Sequence, residues 1–175
     1  FPAPTLRTRG VVENFFRDSV HRYIAIPSAV CIPKAVFGAV GGFPEGMKIA
    51  EDLHMWIRIA SRYPVCFSPE RLACYSKVAS NRSAAGYTPE RTRHSFEELY
   101  DPSAPAEKRE FIARAALGKA LILSAKGDTE AAARAARAFS YTKTYRRTLR
   151  KVQVLNALPV AWRSPLLGLY DALAW

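Results

Sequence analysis

The order of apolar and polar positions divides the chain into a mixed first half and a helical second half. Residues 11–21 predict a helix carrying Val12, Phe15, Phe16 and Val20 on one side. Residues 23–32 are almost continuously apolar and predict a buried strand, which Pro27 assigns to an edge or a bulge. A short helical turn begins at Pro33 and ends at Gly41-Gly42. From about Glu51, the residues Leu53, Trp56, Ile57 and Ala60 recur at helical spacing and define a core face, which Pro64 closes. Residues 65–67 and 72–76 predict two short strands around the turn Ser68-Pro69-Glu70-Arg71. Residues 80–86 are small, polar and unperiodic, the pattern of a mobile loop.

The pattern then changes. Thr88-Pro89-Glu90 predicts a helix start, with a capping hydroxyl and Pro in the first turn. Residues 106–126 predict a long helix ended by Gly127, and Asp128-Thr129-Glu130 caps the next, which runs to about Tyr141. The two form an antiparallel hairpin. Residues 145–175, basic at first and then apolar, are interrupted by Pro159 and Pro165. The fold class is therefore α+β, with residues 1–87 the mixed part and 88–175 an all-helical region.

Composition narrows the classes. With 175 residues, 49% of them hydrophobic, the chain can bury a core of one domain or one and a half. Three Trp, eight Tyr and nine Phe exclude low-complexity disorder. No apolar run reaches the roughly 18 residues of a spanning helix, and the start has neither the basic region nor the apolar core of a secretory signal. The first residue is Phe1 rather than Met, as expected of a chain cut from something longer. Cys31, Cys66 and Cys74 are odd in number and lack a Cys-x-x-Cys spacing, which excludes a zinc ribbon. They are expected to be small buried hydrophobes in a reducing compartment, which points to the cytoplasm. The formal charge of +11 is concentrated near the end, where Lys143, Arg146, Arg147, Arg150 and Lys151 fall within nine residues.

The candidate chemistry lies at Glu51 and Asp52. A helix N-terminus favours negative charge, so an acidic pair there is ordinary structural economy. The same pair, following the flexible Gly41-Gly42 turn, also suits a general base that takes a proton from an acceptor hydroxyl. The residues alone leave both readings open.

The ordered series Ser28-Ala29-Val30-Cys31-Ile32-Pro33-Lys34, then Val36-Phe37-Gly38-Ala39-Val40-Gly41-Gly42-Phe43-Pro44-Glu45, then Ala50-Glu51-Asp52-Leu53-His54-Met55-Trp56-Ile57-Arg58, followed by Leu72-Ala73-Cys74-Tyr75, resembles the second half of a family 2 glycosyltransferase of the GT-A fold. The resemblance spans roughly residues 22–83, about a third of the chain. It implies that Asp52 is the base of an inverting sugar transfer, with Glu51 orienting it or meeting the acceptor. Gly41 and Gly42 would let substrate approach the backbone. Arg58 would hold the carboxylates or touch a phosphate, although an ordinary ion pair fits it equally. His54 is expected to be solvated or locally hydrogen-bonded, with substrate contact the alternative, and Trp56 belongs to the core. Asn81, Arg82 and Ser83 fall where such enzymes carry a loop closing over the donor diphosphate, though a plain surface loop fits as well.

No Asp-x-Asp occurs, and no parallel βαβ series precedes residue 22. The resemblance thus implies an acceptor-side half whose nucleotide-sugar donor and divalent metal (Mg or Mn) would be held by residues outside this chain. The acceptor would be a sugar or a lipid-linked sugar, in the synthesis of a bacterial surface polysaccharide or glycolipid. The chain alone would then be inactive. Residues 143–175 fit an anionic membrane surface at the cytoplasmic face, or packing onto the alanine-rich hairpin or onto the missing N-terminal half. A helical protein-interaction module is the non-catalytic alternative, although one hairpin is too few for a repeat array. A nucleic-acid partner is not expected, because aromatic and basic residues do not interleave as they do in such binders.

Overall fold

The computed structural model describes residues 9–74 and 93–173, with side chains as far as residue 166. It is mostly helical, with seven α-helices and one two-stranded sheet among the described residues. The chain divides into two compact units, residues 1–94 and residues 95–175.

In the first unit, β1 (Gly10–Val11) pairs antiparallel with β2 (Cys66–Phe67), Gly10 opposite Phe67 and Val11 opposite Cys66. The Val12 N–H extends the contact to the Val65 carbonyl at 2.8 Å. This pairing takes residues that the periodicity assigned to a helix. The helix, α1 (Phe15–Ser19), begins only after Asn14, whose side chain accepts from the Arg17 N–H at 2.9 Å. Asn commits the chain to a cap because its side chain satisfies a first-turn donor.

The expected strand over residues 23–32 does not form. Pro27 has no N–H to give a ladder, and Pro27–Ala29 forms a 3-10 turn inside an extended segment. Residues 72–74 are likewise irregular, and the remainder of that expected strand lies outside the described residues. So do the boundary at residue 87, the loop over 80–86 and the helix start at Thr88. All three cysteines are exposed, which corrects their expected burial. Without a larger sheet around them, Cys31 and Cys74 sit in irregular chain, and Cys66 lies on a two-stranded ribbon.

Two further helices carry the candidate site: α2 (Lys34–Val40) and α3 (Glu51–Ala60). Leu53, His54, Met55, Trp56 and Ile57 of α3 are all buried. Trp56 meets the Phe43 ring edge-on, centroids 6.1 Å apart, and is core as its spacing predicted.

The second unit surrounds α4 (Ala106–Ala125), whose first turns are charged but which is buried over most of its circumference from Phe111 onward, and which packs against α5 (Thr129–Ala138), α6 (Arg146–Ala157) and α7 (Val160–Leu173). The α4–α5 turn follows its sequence signals closely. Gly127 adopts φ +94°, its N–H bonds the Ser124 carbonyl at 3.1 Å, and the Asp128 N–H reaches the Leu123 carbonyl at 2.9 Å. This paired closure needs a left-handed residue, which Gly adopts without penalty. Asp128 then caps α5 by accepting from the Ala131 N–H at 3.2 Å. Pro159 separates α6 from α7 as expected, but Pro165 lies inside α7 and does not interrupt it. The N–H missing at Pro165 would have met the carbonyl of Ala161, an exposed residue that water can serve.

Arg163 is the unit's one guanidinium that is only 4% exposed. Its Nε donates to the Leu158 carbonyl at 2.9 Å and Nη2 to the Asn156 carbonyl at 3.1 Å. Nη1 reaches the Ser124 carbonyl at 3.1 Å and Thr129 Oγ1 at 2.6 Å. Three of these acceptors are at or just beyond helix C-termini, where carbonyls lack intrahelical partners and carry the negative end of the dipole. One side chain from α7 thereby ties α4, α5 and α6 together.

Candidate active site

The candidate site starts at an unusual helix entry. Ala50, directly before α3, is the only described non-glycine residue with positive φ (φ 60°, ψ 27°), and no side chain caps the helix from that position. An alanine held in the left-handed region costs of the order of 1 kcal/mol, and such costs concentrate where geometry is in demand. Glu51 and Asp52 follow immediately, both half-buried. Asp52 Oδ1 accepts from the Leu53 N–H at 2.8 Å. This arrangement offers carboxylate oxygens that combine access to solvent with a fixed backbone.

The turn leading to this entry is clamped from α3. Arg58 Nη1 donates to the Val40 carbonyl at 2.8 Å, and its Nη2 donates to the Gly42 carbonyl and, at 3.2 Å, to Met55 Sδ. Arg62 Nη1 donates to the Ala39 carbonyl at 2.7 Å. Two arginines one helical turn apart thus serve carbonyls at the C-terminal end of α2, which has no further turn to serve them. Gly41 makes this approach possible. Its φ of +80° with ψ 171° is a conformation open to almost no other residue, and a Cβ there would lie 3.2 Å from Arg58 Nη1.

Gly41→Ala is accordingly expected to lower the stability of the first unit by about 1–3 kcal/mol. Gly42→Ala, where a Cβ meets nothing within 4 Å, serves as the control and should cost clearly less. Chemical denaturation of the two variants side by side tests this, and equal losses would remove the clamp from the account.

The structure therefore brings Gly41, Gly42 and Arg58 into one cluster. Asp52 and Glu51 stand about 9 and about 10.5 Å back along the α3 axis from Arg58, six and seven residues at about 1.5 Å each. Of the two states expected for His54, solvated or locally hydrogen-bonded, the first does not hold: it is 1% exposed, and its ring meets His94 with centroids 5.7 Å apart. It lies between Leu53 and Met55 on a helix buried over five consecutive residues, so no face was left for water. Asn81, Arg82 and Ser83 lie outside the described residues.

Sequence reasoning missed Arg62 and Ala50. Arg62 stands four residues after Arg58, in the turn just past the end of α3, and that spacing was the available signal. For Ala50 there was none, since alanine ordinarily marks right-handed backbone. Compared with models of protein families, with curated proteins and with solved structures, the chain shows no match.

Proposed function

We propose that the first unit is the acceptor-side part of an inverting glycosyltransferase, with Asp52 as general base and Glu51 beside it. The observation that carries this reading is the pair of half-buried carboxylates opening α3 behind a strained Ala50 and a clamped glycine turn. In the reaction, Asp52 would take the acceptor hydroxyl proton as that oxygen attacks the anomeric carbon. The nucleoside diphosphate would leave from the opposite face, inverting the configuration. The nucleotide-sugar donor and a divalent metal, Mg or Mn, would be bound by residues outside this chain.

The test uses the protein at its full natural length, supplied with a panel of nucleotide sugars and sugar or lipid-linked acceptors. Acceptor-dependent release of nucleoside diphosphate, with an inverted anomeric configuration in the product, is expected. Failure of every nucleotide sugar to bind would remove the transferase reading.

A second reading, a non-catalytic helical interaction module, is favoured by one observation. The second unit assembles three helices around a central fourth and stands as a compact body without the candidate site.

A further inference from the structure

The expectation that residues 145–175 either pack or face outward resolves residue by residue. Leu149, Val152 and Leu155 of α6 are buried, so one face of that helix belongs to the core. The opposite face does not. Arg146, Arg147, Arg150 and Val154 are exposed, Val154 at 60%. At about 100° per residue these four fall within one third of the helix circumference, opposite the buried three. Beyond Pro159, the first turns of α7 expose Val160 (51%), Trp162 (62%) and Leu166 (43%). Large apolar side chains next to a cationic face are left in water.

Nothing in helix stability accounts for the charges. Arg146 and Arg147 open α6, where the positive end of the helix dipole disfavours cations. Arg146 and Arg150 are like charges one turn apart, a spacing that also disfavours the helix. No acid in the surrounding sequence balances them: residues 131–170 contain eight Lys and Arg but neither Asp nor Glu, and Glu110 of α4 accepts from Thr142 Oγ1 at 2.5 Å and from the Lys143 N–H at 3.0 Å just before α6 begins. Among the described residues no helix is long and apolar enough to cross a membrane. A cationic face with exposed Trp, Leu and Val, on helices too short or too polar to span, suits a helix pair lying in the plane of a membrane interface.

We infer that the solvent face of α6 and the start of α7 form a docking surface for anionic lipid bilayers. Arg146, Arg147 and Arg150 meet the headgroups, while Trp162 and Leu166, four residues apart on one side of α7, and Val154 enter the boundary of the acyl chains. Charge complementarity selects this occupant over an uncharged protein groove, and the exposed indole and aliphatic groups select it over nucleic acid, whose binders read phosphate with cations and stack bases on aromatic platforms. The inference is independent of the transferase reading, because vesicle binding needs no turnover.

The experiment is co-sedimentation of the full chain with vesicles of phosphatidylcholine alone or with 30% phosphatidylglycerol, in low and in physiological salt. Binding to the anionic vesicles only, weakened by salt, is expected. Combined substitution Arg146→Gln, Arg147→Gln and Arg150→Gln should weaken it about a hundredfold, near fivefold per charge. Trp162→Ser should weaken it about tenfold at unchanged charge, and far-ultraviolet circular dichroism verifies that both variants keep their helices. Three outcomes each overturn the inference: no binding to anionic vesicles, binding indifferent to Trp162→Ser, or a concentration-dependent dimer in sedimentation that buries this face and excludes vesicles. Equal retention by single-stranded nucleic acid and by vesicles, both indifferent to Trp162, would reassign the face to a polyanion.

Discussion

With Asp52 as the proposed base, Asp52→Asn is expected to lower sugar transfer by about a thousandfold in the full-length protein, while donor affinity and fold stay as they are. The isolation of the effect follows from local geometry. In the structure Asp52 Oδ1 accepts the Leu53 N–H at 2.8 Å, and the amide oxygen of Asn can accept the same bond. What is lost is the ability to take a proton, together with a helix-end charge whose structural contribution is about 0.3–1 kcal/mol. Glu51→Gln should act more mildly and through acceptor KM, in keeping with orientation rather than proton transfer. The checks are initial rates of nucleoside diphosphate release and donor binding by calorimetry. Turnover within threefold of the unsubstituted protein would return Asp52 to the status of an acid that merely opens a helix.

The second large effect is expected at Arg163. Arg163→Met keeps much of the volume but leaves the Asn156 and Leu158 carbonyls at the end of α6 without the donors that now serve them. The Ser124 carbonyl is better placed, since the Gly127 N–H also reaches it at 3.1 Å. Two orphaned acceptors at about 1–3 kcal/mol each, less the relief of no longer burying a charge, give a net loss of about 3–4 kcal/mol. For a unit of this size that is a fall in Tm of about 15–25 °C. Arg163→Lys should restore less than half, because one ammonium cannot span acceptors on three helices as a planar fork does. Urea denaturation followed at 222 nm measures it, and a loss below about 1 kcal/mol would show that the guanidinium is a passenger in the core.

The second unit was largely legible in the sequence because its signals are local. Gly127 ends one helix and Asp128 starts the next through bonds made within five residues, and both act as their types predict. The first unit was less legible because its outcomes depend on partners distant in sequence. Gly10 and Val11 could join a strand only if residues 66–67 were brought alongside, which no local pattern announces. For residues 23–32 the missing ladder at Pro27 outweighed a strong apolar run, and the exposure of Cys31 followed from that. In the candidate site, Asp52 and Glu51 could be singled out by position at a helix start. The work done by Arg58 could not be read, since its acceptors are main-chain carbonyls 16 and 18 residues away that carry no side-chain signature. Trp56 was legible as core through its periodicity, whereas the burial of His54 was hidden by the polarity of its side chain.

The stretch from residue 131 to residue 170 has one more consequence. It contains no Asp, Glu, His or Cys, so no side-chain type there changes charge between about pH 4 and pH 8. Two of its tyrosines move further from that window: burial, above all, raises Tyr145 and Tyr141 beyond the ordinary phenol range, with neighbouring Glu110 acting in the same direction. Beside Glu110 of α4, which accepts from the Lys143 N–H at 3.0 Å, the stretch therefore keeps its own positive charge across acidic and neutral media. What tunes it is the ionic atmosphere, which screens charges over about 8 Å at physiological salt. Any regulation of that surface by the cell has to come through ions, through the lipid composition it faces, or through a new negative charge written onto its threonines.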